Sequence, residues 1–326
     1  MQIALVTEGT YPYYTGGVSV WCHQLIEGMP DHAFHAVAVS VNGLEKSIWT
    51  SPPNLLGLTN LPLWGYEPVN RKCRGAPPPA WFEQVHLTFL RSLIRPAQVL
   101  GHRPLGMYNT FLNSLHALFR YAQEADLAAA LLSNASVERL MDLWHSSEMD
   151  EELEAPGAKP KPILTLADAL MVSDFLEHLL RPLSHPPLEV DLVHSAMSGL
   201  STMIGMAAKW TSGTPFVLSE HGIYLRERYL SYLHDPLPYG VKMLLLNFFR
   251  LPNCAPCTTE WTLKSFCPLR RSPRTPPSSS WAGLTRSRTS TPSSAASLWC
   301  GRRSLRLAYG SLVRCRWAMR PTTRAV

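Results

Sequence analysis

The sequence predicts an α/β protein in which strands alternate with helices and a block of extra helices is inserted. Three observations predict it. A strand–helix–strand run opens the chain, and a second lies between Val190 and Ser219. The stretch between them carries apolar residues at helical rather than alternating spacing.

Taken in order, Ile3–Val6 is a short apolar run without a turn signal, which reads as a buried strand. Thr7-Glu8-Gly9 is turn-prone and Gly16-Gly17 follows. Ser19 suits the N-cap of a helix running from near Val20 to Gly28. Ala36–Val41 is the second strand and completes a βαβ unit. Pro52–Pro79, rich in Pro, Gly and Asn, is expected to form a long loop. From Trp81 to about His145 the pattern is helical. Leu112, Leu115, Leu118 and Phe119 recur at helical spacing, as do Leu127, Ala130, Leu131 and Leu132. Pro156–Pro162 reads as a linker and Leu164–Leu180 as a further helix. The second βαβ unit comprises the strand Val190–His194, the helix Ser198–Trp210 with its stop signal Ser212-Gly213, and the strand Pro215–Ser219.

At 326 residues and 46% hydrophobic content, the chain can build a sizeable core and has room for two domains. Its net charge of +6 suggests nucleic acid, but the distribution of that charge does not. Pro252–Val326 holds thirteen Lys/Arg and one acid, which leaves 17 basic and 23 acidic residues in 1–251, a net of −6. No specific nucleic-acid partner is expected, since the tail arginines would bind RNA or anionic membrane by electrostatics alone. The first residues lack a cationic n-region, so no signal peptide is expected. The apolar run Val241–Phe249 is interrupted by Lys242 and Asn247, so no membrane span is expected either. Of seven cysteines only Cys22 and Cys73 lie in the body, which reads as a reduced, cytoplasmic protein. Cys254, Cys257 and Cys267 lack a fourth ligand at sensible spacing, and no metal site is expected.

A strand, a glycine loop and a helix N-terminus together bring backbone N–H groups and a helix dipole to an anion, typically a phosphate. The spacing around Gly16-Gly17 fits neither the dinucleotide fingerprint nor a P-loop, and the pair alone also fits a simple turn. The last strand ends in Glu220-His221-Gly222. Ligands of open α/β sheets sit beyond the carboxyl ends of strands, which is where Ser195 and this turn fall. Arg226, Glu227 and Arg228 either add charge at that edge or form a solvated, salt-bridged surface. His194 and His221, taken singly, also fit structural roles. Trp21 and Tyr11–Tyr14 read as packing and loop-ordering residues.

Three segments in order, EGTYPYYTGGVSVW, VDLVHSAMSG and LSEHGIYLRER, resemble the N-terminal half of PelF-like glycosyltransferases. These are family 4 enzymes of GT-B fold that build exopolysaccharide from a sugar nucleotide. The resemblance spans roughly residues 1–250. It implies a Rossmann-like, acceptor-side domain over 1–251 with a helical insertion at about 81–145, facing a second Rossmann-like domain across the active site. It also implies retaining transfer from an NDP-sugar, foremost UDP-glucose, to a glycan acceptor, without a cofactor. The expected place is the cytoplasm or the inner face of the membrane, with a membrane polysaccharide-synthesis complex as partner. Residue by residue, Gly16 and Gly17 match the loop that approaches the donor phosphates, where a Cβ would hold the backbone away. His221 matches the histidine near the transferred sugar and is the catalytic candidate. His194 matches the histidine of the earlier strand end. Glu220, Arg226 and Arg228 fall in the matching motif as substrate- and phosphate-binding candidates facing the cleft.

Residues 252–326 show neither alternation nor a helical period and are crowded with Ser, Arg, Thr and Pro, a disordered composition. The donor-binding domain of the family is not readable there. Shifting the reading frame lets Pro256–Phe266 and Pro277–Ala296 encode stretches that resemble its opening, so this low-complexity basic tail is expected to be a frameshifted translation. Little or no transferase activity is expected of the chain accordingly. Two other readings stay open: a non-catalytic acceptor-binding or assembly module, and a nonfunctional gene fragment.

Overall fold

Apolar from Ile3 to Val6 and buried along almost its whole length, β1 (Gln2–Glu8) has a parallel partner on either side. A computed structural model describes residues 1–64, 77–94, 105–146 and 164–250. The other strands are β2 (Ala33–Ser40), β3 (Leu55–Pro62), β4 (Leu192–Ser195) and β5 (Phe216–Leu218), and the sheet order is β3-β2-β1-β4-β5. Every pairing is parallel, with Ile3 opposite Phe34 on one side and Leu192 on the other. The predicted α/β class is the one observed, as a Rossmann-like sheet with helices. Two units divide the chain, Met1–Thr259 and Glu260–Val326, and all described residues belong to the first.

Helix α1 (Gly17–Glu27) lays Cys22 and Ile26 on the face formed by Ile3, Leu5, Phe34 and Ala36. Burying side chains of this size stabilises the unit by about 1.5–3 kcal/mol each, before the entropy of ordering them. Between β3 and β4 come α2 (Pro79–Trp81), a π-helical turn (Phe82–His86), α3 (Leu87–Ile94), α4 (Leu105–Glu124), α5 (Leu127–Leu131), α6 (Asn134–His145) and α7 (Leu166–Leu180). The helical spacing read from the sequence buries Leu115, Leu118, Phe119, Leu127, Ala130 and Leu131. Leu132, at the C-cap of α5, faces outward instead. Thr165 and Asp168 form a reciprocal capping box that starts α7. Helix α8 (Ser201–Ser212) stops where predicted, at Gly213 with φ 68°. Helices α9 (Tyr224–Leu233) and α10 (Tyr239–Arg250) follow.

Two expectations are corrected. The loop expected over Pro52–Pro79 contains β3, which has only one β-branched residue, Thr59, and whose Leu56 and Leu58 stay exposed at the sheet edge. Pairing with β2, a tertiary contact, makes it a strand. Ser19 is not the N-cap of α1: the Gly16 carbonyl already accepts the Val20 N–H at 2.9 Å, so Gly16 caps and Ser19 is buried in the first turn. The Pro156–Pro162 linker and the 252–326 tail lie outside the described residues. No helix among the described residues is long and apolar enough to cross a membrane.

Candidate functional site

The sheet reverses its order of travel between β1 and β4, and such a switch point opens a crevice at the carboxyl ends of the strands. Three of the loops that leave the sheet at this edge carry the candidate residues. One joins β1 to α1 and carries Gly16; one joins β4 to α8 and carries Ser198 and Gly199; one joins β5 to α9 and carries Glu220 and His221.

Gly16 and Gly17 form the exposed start of α1, and a Cβ built on either meets nothing within 4 Å. Gly16 has an extended backbone, φ 167°, which any residue adopts. Neither conformation nor packing within the described chain therefore calls for glycine here. No side chain caps α1 and no acid lies in its first turn, so its N–H groups and dipole face outward.

Trp21, one turn into α1, joins that helix to the end of β4 and to the loop after β5. Its ring meets His194 edge-on at 5.4 Å between centroids and His221 at 4.5 Å. His194 Nε2 lies 2.8 Å from Ser219 Oγ, and burial, then the nearby His221, hold its pKa below the ordinary imidazole value. His221 itself is exposed. Ser198 Oγ donates to Glu220 Oε1 at 3.0 Å, tying the β4 loop to the β5 loop. Ser195, at the end of β4, donates to the Met197 carbonyl at 2.7 Å and supports the loop from within.

Buried Glu8, the last residue of β1, is the polar centre of this edge. Its Oε2 accepts the Leu200 N–H at the start of α8 at 2.9 Å. Its Oε1 accepts the Tyr224 hydroxyl at 2.9 Å and Arg228 at 2.8 Å. Gly199 lies beside it with φ +116°, where a Cβ would stand 2.5 Å from the Tyr224 ring and 2.9 Å from Glu8 Oε2. Here conformation and close approach both require glycine.

A family model for a domain of unknown function, DUF3492, matches residues 1–254. The chain belongs to the DUF3492 family. No curated protein matches it.

All the residues predicted for the site fall within the DUF3492 domain, and they separate into two groups. Gly16, Gly17, His194, Glu220 and His221 share the open edge around Trp21. The two arginines part company. Arg228 turns in to Glu8, stacked 4.7 Å over Tyr224 and 4.9 Å over Phe249, whereas Arg226 is exposed and makes no ion pair among the described residues. Glu8, Tyr224 and Gly199 were not singled out from the sequence. An acid ending a buried strand beside a glycine turn was the one available signal.

The pair His194 and His221 offers an imidazole that is neutral near pH 7 next to one open to solvent. Such a pair can accept or donate a hydrogen bond to a hydroxyl at the open edge, with an anion seated on the start of α1.

Proposed function

We propose that the DUF3492 domain is the acceptor-side half of a retaining, NDP-sugar-dependent glycosyltransferase of GT-B type, similar to the PelF-like family 4 enzymes of exopolysaccharide biosynthesis. The observation that carries this reading is the convergence of the three resembling segments, far apart in sequence, at one sheet edge through Trp21. In this reading the acceptor glycan lies against His221 and Trp21, and His221 assists the reacting hydroxyl. His194 and Glu220 hold sugar hydroxyls, while Gly16 and Gly17 let the α1 start approach the donor diphosphate. Arg226 is free to meet that charge. N–H groups and a cation there would offset the charge developing on the departing UDP. No metal or cofactor enters the reaction as proposed.

Saturation-transfer NMR with UDP-glucose and with short glucan oligosaccharides tests the reading on the whole chain. The expected result is weak binding of both, reduced about tenfold or more by His221→Ala and by Gly17→Val. A folded protein that binds neither would overturn it. Little UDP release is expected from this chain, and robust release would show that it holds the donor-side machinery as well.

A non-catalytic acceptor-binding or assembly module is the second reading. It is favoured by the exposed apolar residues Ile223, Leu230, Leu233 and Tyr239 beside the site. Oligosaccharide binding without any affinity for UDP-glucose would select it.

A further inference from the structure

We propose that Glu8 is a positioning residue for the loop that carries His221, acting through Tyr224 and Arg228. The glycosyltransferase reading enters only in what His221 would touch; the mechanical link stands on the side chains themselves.

Apolar contact holds α9 only in part: none of its residues is fully buried, and Tyr224 and Tyr232 rest on Phe249 of α10. Its first turns are held by polar contacts that converge on one carboxylate. The Tyr224 hydroxyl and Arg228 both donate to Glu8 Oε1, at 2.9 and 2.8 Å, and Arg228 also donates to the Tyr224 hydroxyl at 2.7 Å. The Arg228 guanidinium is sandwiched against the Tyr224 and Phe249 rings at 4.7 and 4.9 Å, so its direction is fixed as well as its distance. Glu8 cannot swing to follow α9, because its other oxygen accepts the Leu200 N–H and its backbone lies in the central strand.

The loop between β5 and α9 thus has two moorings. On the strand side, the Ser219 N–H donates to the Ser195 carbonyl at 2.9 Å, Ser219 Oγ meets His194, and Glu220 Oε1 accepts the Ser198 hydroxyl at 3.0 Å. On the helix side, the mooring is Glu8. His221 sits between them, three residues before Tyr224, with its ring against Trp21. If the Glu8 contacts are cut, α9 keeps its own helical bonds but loses its fixed distance from β1. His221 then leaves the Trp21 ring and the start of α1. A carboxylate suits the task because it can serve three donors at once with charge-assisted bonds.

Hydrogen–deuterium exchange and histidine-selective NMR on the 326-residue chain, without ligand, test this. In Glu8→Gln the charge is lost, and at least one of the three donors faces an amide NH₂. Amide exchange across residues 219–233 is expected to rise about tenfold while β1 and β2 stay within about twofold of wild type. The His221 Hε1 signal, assigned by its loss in His221→Asn, is expected to move toward that of free histidine as it leaves the Trp21 ring, and the His194 signal to stay. Tyr224→Phe removes one hydroxyl and should give the same change about threefold smaller; Arg228→Lys should restore part of it relative to Arg228→Ala. If Glu8→Gln fails to fold, the Tyr224 and Arg228 variants decide. An unchanged His221 signal and unchanged exchange in all folded variants would overturn the proposal. So would exchange that rises evenly across the domain, which would make Glu8 a structural residue only. Failure of UDP-glucose to bind would sink the functional reading and leave these measurements untouched.

Discussion

The N-termini of α1 and α8 stand at the same edge of the same sheet, and the chain treats them in opposite ways. Both helices start after a glycine-bearing loop, and both direct N–H groups toward the crevice. At α8 the positive end is filled from within: the Glu8 carboxylate accepts the Leu200 N–H and is itself held by Tyr224 and Arg228. At α1 no side chain caps the helix and Gly16 and Gly17 face open space. The filled end is thereby made into structure and the open end is left to something outside the fold. A glycine means different things at the two places. Gly199 is demanded by the chain's own atoms, and Gly16 by nothing the described chain contains.

The largest effect is expected from emptying the filled end. Glu8→Ala leaves the Arg228 guanidinium, the Tyr224 hydroxyl and the Leu200 N–H without their shared acceptor, at a cost of about 3 kcal/mol, measurable by urea unfolding. Gly199→Ala should cost about 2 kcal/mol, since the alanine adopts φ +116° poorly and its Cβ would press on the Tyr224 ring. By contrast Gly17→Ala is expected to leave stability within about 0.5 kcal/mol, because its Cβ meets nothing.

Acid sharpens the comparison further. His194 is held neutral in the folded state, so on acidification the unfolded chain takes up its proton first. Its contribution to stability is complete above the ordinary imidazole range and is lost as pH falls through that range toward the lowered folded value. His86 in the π-helical turn, pushed down to about 4 by burial and then by Arg139, loses stability over the same range. The difference between wild type and His194→Gln in melts from pH 7 to 5 isolates the share of the site. A stability profile unaltered by His194→Gln would show that His194 is solvated rather than confined.

The smallest change runs the other way. Gly16→Asp supplies α1 with the cap and negative charge that it lacks, which is expected to stabilise the fold by a few tenths of a kcal/mol. The same variant should weaken binding of any anionic ligand at that end, read by the saturation-transfer titration. Tighter binding would mean that α1 does not face the ligand.

Much of the framework was legible because local pattern and tertiary role agree. The apolar runs of β1, β2, β4 and β5, the helical spacing of α4 and the Gly213 stop each state their fate within a few residues. β3 was not legible, because Leu-Leu-Gly-Leu carries little strand preference and its partner supplies the reason for pairing. His194, Glu220 and His221 could be placed at the carboxyl edge from topology alone. The role of Glu8 could not, since its partners lie 192, 216 and 220 residues away and no spacing encodes them. Arg228 looked like its neighbour Arg226, and only the position of Phe249 and Tyr224 around it sets them apart.

The central place of β1 also governs when the site can exist. β1 is made before the other strands of its sheet, yet the strand on its second side follows 189 residues later, as the Gln2–Asp191 bond records. At roughly 5–20 residues per second, that strand is made some ten to forty seconds afterwards. β2 and β3 can gather on one flank in the meantime, with the other flank of β1 uncovered. Glu8 meets Leu200 and then Arg228 only when the second flank arrives, so the crevice forms after the strands of the first flank have been made.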